Sequence, residues 1–358
     1  MRRPIRSSLT IGISTAIILS AVILLLGAMT AWLDSPLGIG RHKAATSTLS
    51  VVTVGGTGRT VLLSSGGMIR WGPAWSRSGK SLVYSLGTAR TGVFTLVASF
   101  PGLGQHALTH DRRNNYLPVW SPNGKLIAYI SQQGAKDSTA ELYVIGADGR
   151  GKRRLTYNEA WEYGASWSPD GKRIAYGSEQ GGIWHVWIMN ANGSGARMLP
   201  GTEKGNAPDW SPNGRTIAFT SDRTGNDNIY AVSPSGGVAR RLTTGPCHSD
   251  NARWSPDGKL ITYAVFCPHG WTDIYVMDAD GSHPRNLTNT PSVEEEVPAW
   301  LPDGRRIGFA AFQVERDGLW PGPALRGVGF GLLLGLLAAA ATSLRSRHSR
   351  PVTASSRV

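Results

Sequence analysis

The sequence predicts an all-β fold: a six-bladed β-propeller of four-stranded blades, its ring closed by N-terminal strands, with a transmembrane helix at each end. Three observations predict it. A stretch such as SWSPDGKRIAYGS recurs six times, 45 glycines and 21 prolines favour short strands and tight turns over long helices, and an uncharged apolar run lies near each terminus.

Residues 1–8, MRRPIRSS, form a basic tail. Residues 9–33 then carry no charge, and 25 residues at the helical rise reach about 37 Å, enough to span a bilayer with some tilt. A linker, 34–48, leads to the repeats at 49–313. A second linker, 314–326, precedes a shorter uncharged run over 327–344, and 345–358 form a second basic tail. Arginines flank the outer ends of both runs, so both termini are expected in the cytoplasm and the repeats on the extracytoplasmic side of a bacterial plasma membrane. A cleaved export signal at 9–33 would equally send the repeats outward.

The repeat tryptophans are Trp75, Trp120, Trp167, Trp210, Trp254 and Trp300, spaced 45, 47, 43, 44 and 46 residues apart, a period typical of propeller blades. In each unit a first strand ends at the Trp. Ser-Pro-Asp-Gly or Ser-Pro-Asn-Gly supplies a turn, with Pro fixing φ early and Gly accepting a positive φ at its end. A second strand such as RIAYG alternates large apolar with small or polar residues. A third strand, a glycine turn and a short outer strand ending in Leu-Thr follow, as in DIYVMDADGSHPRNLT from Asp273. The last hairpin, AWLPDGRRIGFAA from Ala299, lacks such a second half. LSVVTVGGTGRTVLLSS, from Leu49, has that plan, so the N-terminal strands are expected to complete the last blade and leave no open edge.

The repeated WSPDGK, IAY and IYVMDADG with RNLT resemble the TolB-like repeats of six-bladed β-propellers over roughly residues 49–313. That resemblance implies a protein-interaction, scaffold or sensing role, with other envelope proteins or peptides as partners. Related propellers also occur fused to serine peptidases, but no Gly-x-Ser-x-Gly elbow is present. No histidine pairing of the zinc-protease kind occurs either. No enzyme, cofactor or metal is therefore expected. Asp278-Ala-Asp-Gly281 imitates the start of a calcium loop, yet it lacks the closing Glu and reads as a hairpin turn. The net charge of +13 suggests nucleic acid until it is located: between Leu49 and Trp320, 27 Lys and Arg face 23 Asp and Glu. Most of the excess sits in the tails, and nucleic acid is not expected as a partner.

Function on a propeller is expected where side chains from several blades meet at the channel mouth. Four residues before each Trp lie Trp71, Tyr116, Tyr163, Asn206, Asp250 and Glu296, aromatic on one side and acidic on the other. Glu159, Glu162, Glu294 and Glu295 are expected to add negative charge. This ring is the candidate binding site for a basic peptide or segment. The alternative is a catalytic, carbohydrate- or peptide-processing site built on Asp250 and Glu296, which needs a deep pocket and one carboxylate of raised pKa. The two cysteines, Cys247 and Cys267, lie on one face of one unit and are expected to pair in a disulfide.

Overall fold

A computed structural model describes residues 47–313 apart from 66, 88–92, 101–103, 133–138 and 268–270; the expected spans at 9–33 and 327–344 lie outside the described residues. Every element is a strand, and among the described residues no helix is long and apolar enough to cross a membrane.

The strands follow in fours. β1 and β2 are Ser47–Thr53 and Thr60–Ser65. β3 to β6 are Met68–Trp75, Leu82–Gly87, Phe94–Phe100 and Gly104–Ala107. β7 to β10 are Asn114–Trp120, Leu126–Gln132, Ala140–Gly146 and Arg153–Arg154. β11 to β14 are Trp161–Trp167, Arg173–Gln180, Ile183–Asn190 and Arg197–Met198. β15 to β18 are Gly205–Trp210, Ile217–Ser221, Asn228–Val232 and Arg240–Arg241. β19 to β22 are His248–Trp254, Leu260–Phe266, Thr272–Asp278 and Arg285–Asn286. β23 and β24 are Val293–Trp300 and Arg306–Gln313.

β1 pairs with β24 from Ser47 opposite Phe312 to Thr53 opposite Arg306, giving a sheet in the order β2-β1-β24-β23. The first strands of the described chain thus complete its last sheet. The expectation of six separate four-stranded blades is corrected by the hydrogen bonding. Four sheets have four strands each, but β7 to β14 form one eight-stranded sheet. The cause is local: Trp161 at the head of β11 makes a parallel bridge to Ala140 at the head of β9, joining two units at one point.

The core lies between units, and the IAY pattern explains its form. The small residue of each second strand shares a buried cluster with the aromatic of the next: Ala128 with Tyr176, Ala175 with Phe219, Ala218 with Tyr263, Ala264 with Phe309. Ala310 meets Tyr84, and Val83 meets Tyr129, which brings the circuit back to its start. Small opposite large lets neighbouring sheets interdigitate at interior density. The innermost strands β3, β7, β11, β15, β19 and β23 likewise touch in succession, and β23 touches β3.

The repeat tryptophans pack between units. Trp120 Nε1 donates to the Ala74 carbonyl and Trp300 Nε1 to the Arg253 carbonyl, each 3.0 Å away in the preceding unit. The six-membered ring of Trp75 lies against Gly308, where any β-carbon would collide with it. The turns after the tryptophans also interlock. Gly171 (φ 68°) lies over Pro122, Gly214 over Pro169, Gly258 over Pro212, Gly304 over Pro256 and Gly79 over Pro302. Only Gly124 lacks such a neighbour, because Arg77 stands where the other turns have proline. Where a Leu-Thr pair follows an outer strand, its threonine fastens the neighbouring strand: Thr156, Thr243 and Thr288 Oγ1 accept the amides of Leu142, Ile229 and Ile274 at 2.9 to 3.0 Å.

Candidate functional site

Each inner strand is interrupted by a β-bulge just upstream of its Trp. Asp250 pairs with Ala264 but Arg253 with Thr262, so β19 spends three steps where β20 spends two. Equivalent slips follow Tyr116, Tyr163, Asn206 and Glu296. The extra residue takes positive φ: Leu117 54°, Gly164 63°, Ala207 46°, Asn251 52° and Val297 47°. For β-branched Val297 this is a strained backbone costing on the order of 1 kcal/mol or more, kept because the bulge aims the preceding side chain into the channel.

β3 departs from the rule. Arg70 pairs with Ser85 and Ala74 with Val83, so this bulge absorbs two extra residues, and both Trp71 and Gly72 have positive φ. Counting four back from the Trp therefore gives Trp71, whereas the ladder places Arg70 in the register held elsewhere by Asp250 and Glu296. The Gly72-Pro73 pair was the signal, since both residues mark bulges in strands.

Four of the six expected residues, Trp71, Tyr163, Asp250 and Glu296, line one cavity of ≈ 240 Å³. Tyr116 is buried beside it, its ring 5.0 Å from that of Trp71, and Asn206 is not among its lining residues. Sequence counting missed Asn251, the bulge residue next to Asp250, and Asp227, His248, Phe266 and Thr272, which join the wall from strand ends.

The three acids of the cavity differ in their partners. Glu296 Oε1 accepts from Arg70 Nη2 at 2.9 Å, and the Arg70 guanidinium also lies over the Phe312 ring. Asp227 Oδ2 stands 3.1 Å from His248 Nδ1; burial raises the Asp227 pKa and the imidazole opposes it. Asp250 has no ion-pair partner within 4 Å among the described residues. Enclosure by protein, then the charges of Asp227 and Glu296, push its carboxyl up to about 7, against the pull of Asn251 and Arg253. Asn251 is 5% exposed, its amide interacts with both Asp250 and the Tyr163 hydroxyl, and its Oδ1 has no hydrogen-bond partner among the described residues.

The neighbouring glutamates do not enlarge the acidic mouth as expected. Glu162 and Glu295 point into the protein and are fully buried, Glu162 accepting from Asn158 Nδ2 and Glu295 from Arg59 Nη1. Glu294 Oε2 is taken by the Thr272 hydroxyl and amide, and Glu159 is exposed. Cys247 and Cys267 form a disulfide with Cα atoms 4.4 Å apart. It adjoins the paired cavity residues His248 and Phe266 and so fastens the ends of β19 and β20 at the cavity wall. Asp278 and Asp280 serve their own turn, accepting from His283 and Ser282, and no cluster able to hold a metal occurs among the described residues.

Sheets whose inner strands close a circle around a lined cavity define the chain as a β-propeller. Residues 39–207, a little less than half of the chain, match the family described as TolB beta propeller domain. A protein assigned as TolB from Agrobacterium tumefaciens is similar over 76% of this chain and 100% of its own, with TM-score 0.63 and 21% identity. TolB from Acinetobacter baumannii is similar over 78% of this chain and 66% of its own, with TM-score 0.55 and 19% identity. With these solved structures the likeness is one of fold. A stretch of 65 residues is also 37% identical to YuxL, an uncharacterised peptidase of Bacillus subtilis, covering 18% of this chain and only 10% of that protein.

Proposed function

We propose that the chain is a membrane-anchored, extracytoplasmic binding module of six blades, the eight-stranded sheet counting as two joined at one bridge. Its ligand, a basic segment of an envelope protein or peptide, enters the channel cavity. The observation that carries this reading is the convergence of Trp71, Tyr163, Asp250 and Glu296, each from a different inner strand, on one acidic and aromatic cavity. Convergence of that kind is how a ring of repeats makes a site. The closed circuit of core contacts supports the blade count, and the apolar runs at 9–33 and 327–344 with their flanking arginines support the anchoring.

The test is a photo-crosslinker at Thr272, on the cavity wall, in the full chain expressed in cells. A captured partner should be lost when Asp250 and Glu296 are replaced together by alanine, and undiminished capture by the folded double variant would reject the reading. One observation favours a second reading: a carboxyl held near pH 7 beside a His–Asp pair suits proton transfer. Against the form of it built on two free carboxylates, Glu296 is held by Arg70.

A further inference from the structure

We propose that the cavity seats a single guanidinium or ammonium group, held by the Asp250 carboxylate and the Asn251 Oδ1. The inference rests on reading the cavity as a binding site and names the chemistry that fills it. Of the three acids on its wall, Glu296 is matched by Arg70 and Asp227 by His248, while Asp250 has no such counterion among the described residues. Beside it, Asn251 Oδ1 is a buried acceptor without a donor among the described residues, and such an atom is costly to leave unmatched. A carboxylate without a counterion beside an acceptor without a donor calls for a ligand rich in N–H and positively charged. A carboxylate or phosphate would instead meet three acids.

Size and walls narrow the class further. A volume of ≈ 240 Å³ admits one extended side chain or a small amine, not a folded surface. The rings of Trp71, Tyr163 and Phe266 line the same space, and aromatic rings attract a cation at their faces. Occupation couples to protons. The groups that set the charge of Asp250 are Asp227 and Glu296, which raise its proton affinity, and Arg253, which lowers it; His248 and Arg70 pair with the two acids. A bound cation replaces the proton that Asp250 keeps when the site is empty, so binding strengthens as pH rises through neutrality.

Calorimetry on the full chain tests this with methylguanidine, propylamine and N-methylurea, the last a neutral isostere. Methylguanidine and propylamine should bind, N-methylurea should not, and affinity should fall roughly tenfold from pH 8 to pH 6. Asp250→Asn should weaken both cations at least about tenfold while melting like the parent. Should that variant not fold, the urea comparison and the pH profile on the unaltered chain still decide. A capped Gly-Arg-Gly peptide separates the sources: tighter binding than methylguanidine assigns the group to a polypeptide, equal or weaker binding to a free amine. Equal binding of N-methylurea, no pH dependence, an unaffected folded Asp250→Asn, or no heat from either cation would each overturn the proposal. A crosslinked partner retained by Asp250→Asn while the small cations fail would sink the ligand class and leave the binding face standing.

Discussion

The two ends of the same inner strands are built on opposite plans. Downstream of each Trp the turns are near copies, each glycine resting on the proline of its neighbour, and the contacts repeat around the circle with one gap at Arg77. Upstream, at the bulges, the corresponding side chains are arginine, tyrosine, asparagine, aspartate and glutamate, and their partners differ from strand to strand. Uniform residues at one end solve one packing problem repeatedly. Different residues at the other, held in one register by the same ladder, make a site.

That contrast can be broken or sharpened by substitution. The largest effect is expected at the channel. Glu296→Gln leaves the buried Arg70 guanidinium uncompensated and should cost about 3 to 5 kcal/mol in urea unfolding, while Arg70→Met with Glu296→Gln should recover most of it. If the single replacement proves nearly neutral, the ion pair is not part of the frame and the channel is as tolerant as an ordinary surface.

A smaller effect should appear in the pH dependence. Burial, above all other causes, raises Glu162 to about 7, well above its unfolded value. The folded state then keeps a proton that the unfolded chain releases, so its stability is full below about pH 4 and declines as pH rises toward 7, by about 2 to 3 kcal/mol for this group. Glu162→Gln should flatten that part of a stability-versus-pH curve, and an unchanged slope would place the titration elsewhere.

The smallest effect belongs to the turns. Arg77→Pro restores the residue that the other turns carry, in a turn where Gly79 N already donates to Ser76 O as its counterparts do, and gives Gly124 its missing neighbour. A gain of about 0.4 to 1 kcal/mol is expected from thermal melting. A loss would show that the six turns are not equivalent after all.

The fold was legible because it rests on local chemistry repeated: a Pro-Asp-Gly turn, a small-large alternation, a Leu-Thr ending. The joining of β7 to β14 into one sheet was not, since a single bridge between Trp161 and Ala140 leaves no pattern in sequence. Asp250 and Glu296 were found by counting back from Trp254 and Trp300, because their strands each carry one extra residue. Arg70 escaped, because β3 carries two. Asp227 escaped for another reason: it precedes β17, and only the folded ring brings it to Asp250. His248, two residues before Asp250 on the same strand, shares its face and was open to the sequence, but counting back from the Trp stopped at Asp250.

The bulge works as an expansion joint. Strands β3 and β19 place different numbers of residues between channel and tryptophan, yet their ladders to the second strand hold both ends at the same level. Length changes at that joint are absorbed where they arise. The lining of the channel can therefore be rewritten, even lengthened, without moving the tryptophans that hold neighbouring sheets together.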